Sequence, residues 1–423
     1  MQIKGEGTLM KIENTIVSKE FFLKGGMLFF ALFPIIPNSL KGLPVITLLI
    51  AAIVNYKKDR RDWKAFFINA SLYLTFLISL IYTNNFDYAL RKLETGLSIL
   101  VLPMIFFLLL PGLKVGKTLK LRFYRAFLIA TTIFSLFIIA IIVFDDSVVY
   151  YRDWYSNTFR TVVTEAFFIG QHPVYASVFL SLSILFYIEL SKNKAIKTSS
   201  SAIFLSLCVL INLALLIMLM SKGVLLALTV AIVFSIATDK KLKRYNWILF
   251  FTILLAFIAL FTFNRRMNEL LKVDTYKEVN QNFSTGIRVG IYQCSLGLIK
   301  QNLIFGYGVG DSQDILNTCY TDKSELLLEH EYNTHNQYLD LMLKMGGLGL
   351  GIFLGFLMGN ISKAQKNGNK EAIMVILLYA IVFLTENILA RQSGVILFYF
   401  LLLFLNTSEM VKLAEAGHVN DNR

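Results

Sequence analysis

The chain has 423 residues, of which 56% are apolar and only 16% charged, and it carries a formal net charge of +13. The apolar residues come in uncharged or nearly uncharged blocks of about 17 to 20, the length that crosses roughly 30 Å of hydrocarbon at 1.5 Å per residue. That distribution excludes an ordinary soluble domain, and the basic residues are too regularly spaced along the chain to mark a nucleic-acid-binding protein.

The expected fold is an all-α polytopic integral membrane protein with about twelve transmembrane helices. In chain order the spans fall near Phe22–Pro37, Pro44–Tyr56, Ala65–Tyr82, Leu97–Pro111 and Ala126–Phe144. Val174–Leu190, Ala202–Met220, Gly223–Ala237 and Trp247–Phe263 follow, and then Gly346–Met358, Ile373–Ile388 and Val395–Leu405. Basic clusters at Lys57–Lys64, Lys114–Arg125, Lys192–Lys197, Lys240–Arg244 and Lys363–Lys370 occupy alternate connections, which the positive-inside rule assigns to the cytoplasm. The other connections hold few cations: Lys41, Arg91, Lys92, Lys222 and Arg391. Both termini are then cytoplasmic. The first span opens with Lys24 and lacks a small-residue cleavage site, so it reads as retained rather than as a removed signal peptide.

Residues 1–423 read as a single membrane domain with two longer extracytoplasmic connections, Asp145–Pro173 and residues 264–345. The second is too long and too periodic for a linker. Within it, Ile287, Ile291, Cys294 and Leu298 recur at helical spacing, which predicts an amphipathic helix over Thr285–Gln301 with Arg288 at the border of its apolar stripe. Such a helix, lying at the membrane surface, holds Arg288 against the top of the bundle. Phe305–Asp311 is a turn-rich connection whose glycines do not have dinucleotide-binding spacing. A second helix is expected from Thr334, with Thr334 and Gln337 as a capping box. His335 and Asn336 would then sit in the first turn, where unpaired N–H groups and the helix dipole favour an anion. Cys294 and Cys319 share this loop, where an oxidising compartment permits a disulfide; two separate thiols is the other reading.

On this topology five ionisable groups gather at one end of the bundle: His172, Lys222, Arg288, His335 and Glu386. Each also has a structural explanation. His172-Pro173 may be read as a plain helix start, Lys222 and Arg288 as interfacial cations, and His335 as a satisfied helix-start histidine. Glu386, within a span near its outer end, is the hardest to dismiss, because an ionisable group at a span's centre costs roughly 2.5–3.5 kcal/mol. Glu329, His330, Glu331 and His335 lack metalloprotease spacing and read as a charged loop rather than a metal site.

The order of these elements resembles the O-antigen ligase and polymerase family of bacterial membrane glycosyltransferases. The likeness is carried by the topology and by the stretch from Arg288 to Gly347: the arginine of the loop helix, Gly306-Tyr307-Gly308-Val309-Gly310, His335-Asn336-Gln337-Tyr338-Leu339, and the Gly346-Gly347 entry to a span. His172-Pro173-x-Tyr175 adds to it. The resemblance implies metal-independent transfer of a glycan from undecaprenyl diphosphate to a lipid A core acceptor. It places the reaction at the periplasmic face of the bacterial inner membrane, among membrane lipids, with no cofactor and no nucleic acid. It further implies that Arg288 grips the diphosphate, helped by Lys222, His172 and Asn336. His335 would deprotonate the acceptor hydroxyl or bind diphosphate, and Glu386 is a second candidate base. Polymerisation onto a second carrier-linked glycan is the alternative within the family. A polysaccharide transporter or flippase is the rival outside it, and would require inverted halves. Two departures stand out: Lys222 occupies a position where the family often has arginine, losing the bidentate fork, and Val289 follows Arg288 where an aromatic residue is frequent.

Overall fold

A computed structural model describes residues 19–56, 61–144, 157–238, 279 and 284–407. In chain order its helices are α1 (19–29), α2 (Leu43–Val54), α3 (Trp63–Ser79), α4 (Phe86–Gly96), α5 (Ser98–Pro103), α6 (Lys117–Phe144), α7 (Asn157–Glu165) and α8 (Pro173–Lys192). There follow α9 (Ser199–Leu219), α10 (Lys222–Ala237), α11 (Ser284–Gln301), α12 (Ser312–Lys323), α13 (Glu325–Glu329), α14 (Gln337–Lys366), α15 (Lys370–Val382) and α16 (Gln392–Asn406). No strand occurs among the described residues. Six helical stretches are long and apolar enough to cross a membrane: Trp63–Tyr82, Phe86–Leu109, Lys117–Phe144, Pro173–Lys192, Ser199–Leu219 and Gln337–Lys366. The protein is therefore a polytopic helical membrane protein, with six such spans among the described residues rather than twelve.

The difference has identifiable causes. Trp247–Phe263 lies outside the described residues. The first expected span is α1 followed by a tighter 3₁₀ stretch, Phe30–Ile35, which contains Pro34. The span expected over Ile373–Ile388 stops being α-helical at Val382. Asn38–Val54, Lys222–Ala237 and Gln392–Asn406 are apolar but short.

Two helices form the centre. Ser393–Asn406 of α16 is buried on every side, and α8 is buried over most of its length. Helices at the periphery bury one face only: α9 buries Leu205, Cys208, Asn212, Leu215 and Leu219 and exposes Ile203, Phe204, Leu207 and Leu210. Since lipid is as apolar as these side chains, apolar burial alone does not choose the packing, and close fit plus polar cross-links must. Asn212 donates to Ser183 Oγ at 3.0 Å and accepts from Ser135 at 2.8 Å, tying α9 to α8 and α6. Asn360 of α14 donates to Asn69 of α3 at 3.2 Å and accepts from Asn406 of α16 at 3.0 Å. At the N-terminal end of α15, Glu371 accepts from Lys120 at 2.9 Å and from Tyr124 at 2.6 Å, closing the bundle at the end away from Glu386.

Helices α11, α12 and α13 have a small core of their own, built from Ile291, Cys294, Ile299, Leu316, Tyr320 and Leu327, closed by Leu343 of α14. Cys294 and Cys319 form a disulfide between α11 and α12, with Cα atoms 5.9 Å apart. The glycine-containing connection after α11 lies against a break in α14 at Gly346 (φ 62°, ψ −162°). That break leaves carbonyls of the preceding turn free, and Tyr307 N–H donates to Leu343 O at 2.7 Å while Gly308 N–H donates to Lys344 O at 2.9 Å. A Cβ at position 346 would meet the Ile304 backbone, so glycine is required there for both its left-handed φ and the close approach. Asp311 fastens the same connection to the turn between α3 and α4, accepting from the backbone N–H groups of Asn84 (2.8 Å) and Asn85 (2.6 Å).

Candidate active site

Four breaks between helices meet at one end of the bundle, each delivering a polar side chain, and helix α11 adds a fifth. The first precedes α8, where Pro173 occupies the opening turn and leaves His172 just outside it. The His172 ring is largely buried and its Nδ1 has no hydrogen-bond partner. Burial pushes its pKa down to about 4, and the nearby cations Arg391 and Arg160 act in the same direction, so the imidazole is neutral.

The second break lies between α9 and α10. Met220, in the left-handed region at φ 45°, ends α9, and Ser221 is held by Ser177 Oγ at 2.8 Å. Lys222 is then the first residue of α10. Gly223 lies so close to Thr385 that any Cβ would collide with that side chain, which brings the Lys222 turn against the segment carrying Glu386.

The third group is Arg288, on α11. Its Nε is buried without a partner. Arg160, on the short α7, adds a further cation, fixed by a 2.7 Å bond from Nη1 to the Leu219 carbonyl at the end of α9.

The last two breaks supply His335 and Glu386. Helix α14 begins at Gln337 and its N-cap is Asn336, whose side chain accepts from Tyr338 N–H (2.9 Å) and Leu339 N–H (3.2 Å). The capping box expected from Thr334 is therefore absent: the Thr334 hydroxyl is taken by Asn387 and by the Asn336 carbonyl. His335 lies before the helix rather than in its first turn, in a left-handed conformation at φ 44°, with its N–H bonded to Asn333 Oδ1 at 3.0 Å. This conformation is unfavourable for a side-chain-bearing residue by about 1–2 kcal/mol, and the surrounding bonds hold it.

Glu386 sits beyond α15, in an irregular segment rather than within a helix, yet it is only 4% exposed. Neighbouring side chains and backbone satisfy that segment: Gln337 Oε1 accepts from Leu389 N–H, Tyr175 donates to the Asn387 and Ile388 carbonyls, and Gln337 N–H donates to Phe383 O. His335 Nδ1 lies 3.2 and 3.3 Å from the two carboxylate oxygens of Glu386. Burial alone would raise the Glu386 pKa, but the charge and hydrogen bond of His335, with His172 and Arg288, outweigh it and hold the carboxyl down at about 2. An ionised carboxylate only accepts, so the ring's hydrogen toward Glu386 is on Nδ1, which in a neutral imidazole leaves the lone pair on Nε2.

Arg160, His172, Lys222, Arg288, His335 and Glu386 line one cavity of about 200 Å³. Three permanent or near-permanent cations thus face a single carboxylate that His335 already engages. Such a site suits a multiply charged anion next to a group that loses a proton. Of the residues expected from sequence, Asn336 alone does not reach the cavity; its amide oxygen is spent on the helix start. Arg160 was not anticipated, and α7 carries no pattern beyond one arginine in a polar connection.

Residues 207–354 match the family model described as O-antigen ligase. This part of the chain is similar to the O-antigen ligase family. The match spans about a third of the sequence and includes Lys222, Arg288, His335 and Asn336, while Arg160, His172 and Glu386 fall outside it. No curated protein matches the chain. That likeness, with the membrane-spanning helices, supports a bacterial membrane protein of the ligase or polymerase type in lipopolysaccharide biosynthesis.

Proposed function

We propose that this protein moves a glycan from undecaprenyl diphosphate to a lipid A core acceptor, without a metal, at the periplasmic face of the inner membrane. The observation that carries the reading is the meeting of Arg288, Lys222 and Arg160 with the His335–Glu386 pair in one cavity. In the reaction the acceptor hydroxyl oxygen bonds to the anomeric carbon of the donor sugar. The bond from that carbon to the diphosphate oxygen breaks, and its electron pair leaves with the diphosphate.

The leaving group gains negative charge as that bond breaks, so cations fixed beside it stabilise the transition state more than the bound donor. Arg288 grips phosphate through its planar fork, and Lys222 and Arg160 add charge. His335 Nε2 takes the acceptor proton, and Glu386 holds the ring in that tautomer and stabilises the imidazolium that forms, as the carboxylate of a catalytic triad does. On this reading His335 is the base and Glu386 orients it, while His172 offers its unpartnered Nδ1 to donor or acceptor.

The topology that accompanies this reading has 264–345 as the periplasmic loop, a single membrane domain and both termini cytoplasmic. The Cys294–Cys319 disulfide supports an oxidising compartment on the site's side of the membrane. The test is gel analysis of lipopolysaccharide and of carrier-linked glycan from cells lacking the protein. Loss of all attached O-antigen with long glycan accumulating on the carrier is expected. Attachment of a single repeat would instead assign the chain to polymerisation.

A further inference from the structure

A second group of cations lies outside the cavity lining, one of them against Tyr175. Arg391, exposed at the start of α16, places its guanidinium 5.7 Å from the centroid of the Tyr175 ring. Tyr175 is buried and pinned by its hydroxyl to Asn387 O at 3.0 Å, and its ring meets that of His172 edge-on at 5.9 Å. One aromatic ring therefore separates Arg391 from a wall of the cavity. On α4, Lys92 Nζ lies 4.7 Å from the Tyr88 ring and Arg91 lies 5.8 Å from the same ring. Helix α4 packs against the start of α16 and against the turn Ile388–Ala390 just before Arg391, so the cations of the two elements form one strip outside the cavity.

No carboxylate forms an ion pair with Arg91, Lys92 or Arg391 among the described residues. Asp340, whose charge acts on Lys92, is committed to Lys344 at 2.6 Å, and Asp87 and Glu94 lie on α4 itself. The first turn of α16 has no acidic residue, and Arg391, its N-cap, makes no capping bond, so the helix dipole adds to the positive field. On the proposed topology these cations also stand on the side of the membrane where basic residues are disfavoured, which calls for a reason.

We propose that Arg391 and Lys92, with Arg91, form an acceptor-side anion site that takes a phosphate monoester carried by the acceptor glycan. This rests on the reading of the cavity as a transfer site. The donor's diphosphate is served inside the cavity by Arg288, Lys222 and Arg160, and Tyr175 and His172 stand between it and Arg391. An acceptor presenting a hydroxyl to His335 must extend out of the cavity, and a charged group further along its chain meets this strip. Guanidinium and ammonium groups held on tyrosine rings are presented in fixed positions, which lowers the ordering cost of binding.

The test uses the purified full chain in phosphatidylcholine nanodiscs, with an oligosaccharide bearing one phosphate monoester and the same oligosaccharide after phosphatase treatment. The wild-type protein is expected to bind the phosphorylated form at least 10-fold more tightly. The double substitution Arg391→Gln with Lys92→Gln should erase that preference, and Arg391→Lys should keep most of it. Equal binding of the two oligosaccharides by the wild type, or an undiminished preference in the double variant, overturns the proposal. A variant that loses only a preference for phosphatidylglycerol nanodiscs would assign the strip to lipid headgroups and also overturn it. Absence of glycan transfer by the wild type would instead remove the transfer reading, since the binding measurement is independent of turnover.

Discussion

At the residue scale the proposed mechanism turns on a division of labour between two ionisable side chains. Both His335 and Glu386 were legible as candidate bases from sequence, because a histidine in a loop motif and a carboxylate near a membrane span are each costly or distinctive. Which one orients the other depends on two distances and one carboxylate environment, and no spacing rule encodes those. Asn336 shows the converse: it lies beside His335 in sequence, yet the left-handed turn at His335 commits its amide to the helix start. The account expects His335→Ala to lower transfer by about 10²–10⁴-fold, and Glu386→Gln to lower it substantially because the amide no longer fixes the tautomer. Rates of transfer from a lipid-diphosphate donor with purified variants check this; a fully active His335→Ala would remove the histidine as base. The same groups shape acid stability. The folded His172 has a pKa depressed from 6.5 to about 4, so folding favours its neutral form, and that contribution is complete above pH 6.5 and lost as pH falls towards 4. Glu386, depressed from 4.5 to about 2, favours the folded state above pH 4.5 and loses that contribution below it. Thermal midpoints in detergent should therefore fall as pH drops from about 6.5 to 4, with a flatter profile over that interval for His172→Gln.

At the element scale hydropathy located the helices and misjudged several ends. The irregular segment after α15 is a clear case: its apolar composition reads as more helix, but Gln337 and Tyr175, which belong to other elements, pair with its backbone and stop the helix at Val382. The amphipathic loop helix was legible because Ile291 and Cys294 have no reason to recur at that spacing unless they face a core, and both are buried. The disulfide stayed open because sequence carries no Cα separation. Tight contacts between breaks are where this end of the molecule is most sensitive. Gly223→Ala should push the Lys222 turn away from Thr385 and weaken diphosphate binding by roughly 10-fold or more, since a misplacement of about 1 Å can cost 10²-fold in rate. Inorganic pyrophosphate competition against the donor, with Ala227→Gly in the same helix as a control for helix propensity, separates that effect from general destabilisation.

At the scale of the whole molecule, the sequence identified a helical membrane bundle with its reactive groups at one end, because long apolar blocks and the placement of charge are properties of the chain itself. It did not identify the inner order. Whether a helix is ringed by protein, like α16, or faces lipid on one side, like α9, depends on cross-links such as Asn212–Ser183 and Asn360–Asn69, which join residues far apart in sequence. Arg160 was missed for a related reason: it gains its place only because the Leu219 carbonyl ends a different helix beside it. The account's central claim is that this cavity transfers a glycan from a lipid diphosphate, using Arg288 to hold the diphosphate and His335 to take the acceptor proton. The most direct measurement is transfer of labelled glycan from undecaprenyl diphosphate by the purified chain in chelator-containing buffer, comparing the wild type with Arg288→Ala and His335→Ala proteins that remain folded. Transfer by the wild type and loss of at least 100-fold in each variant is the expected result; full activity in both variants would contradict the claim.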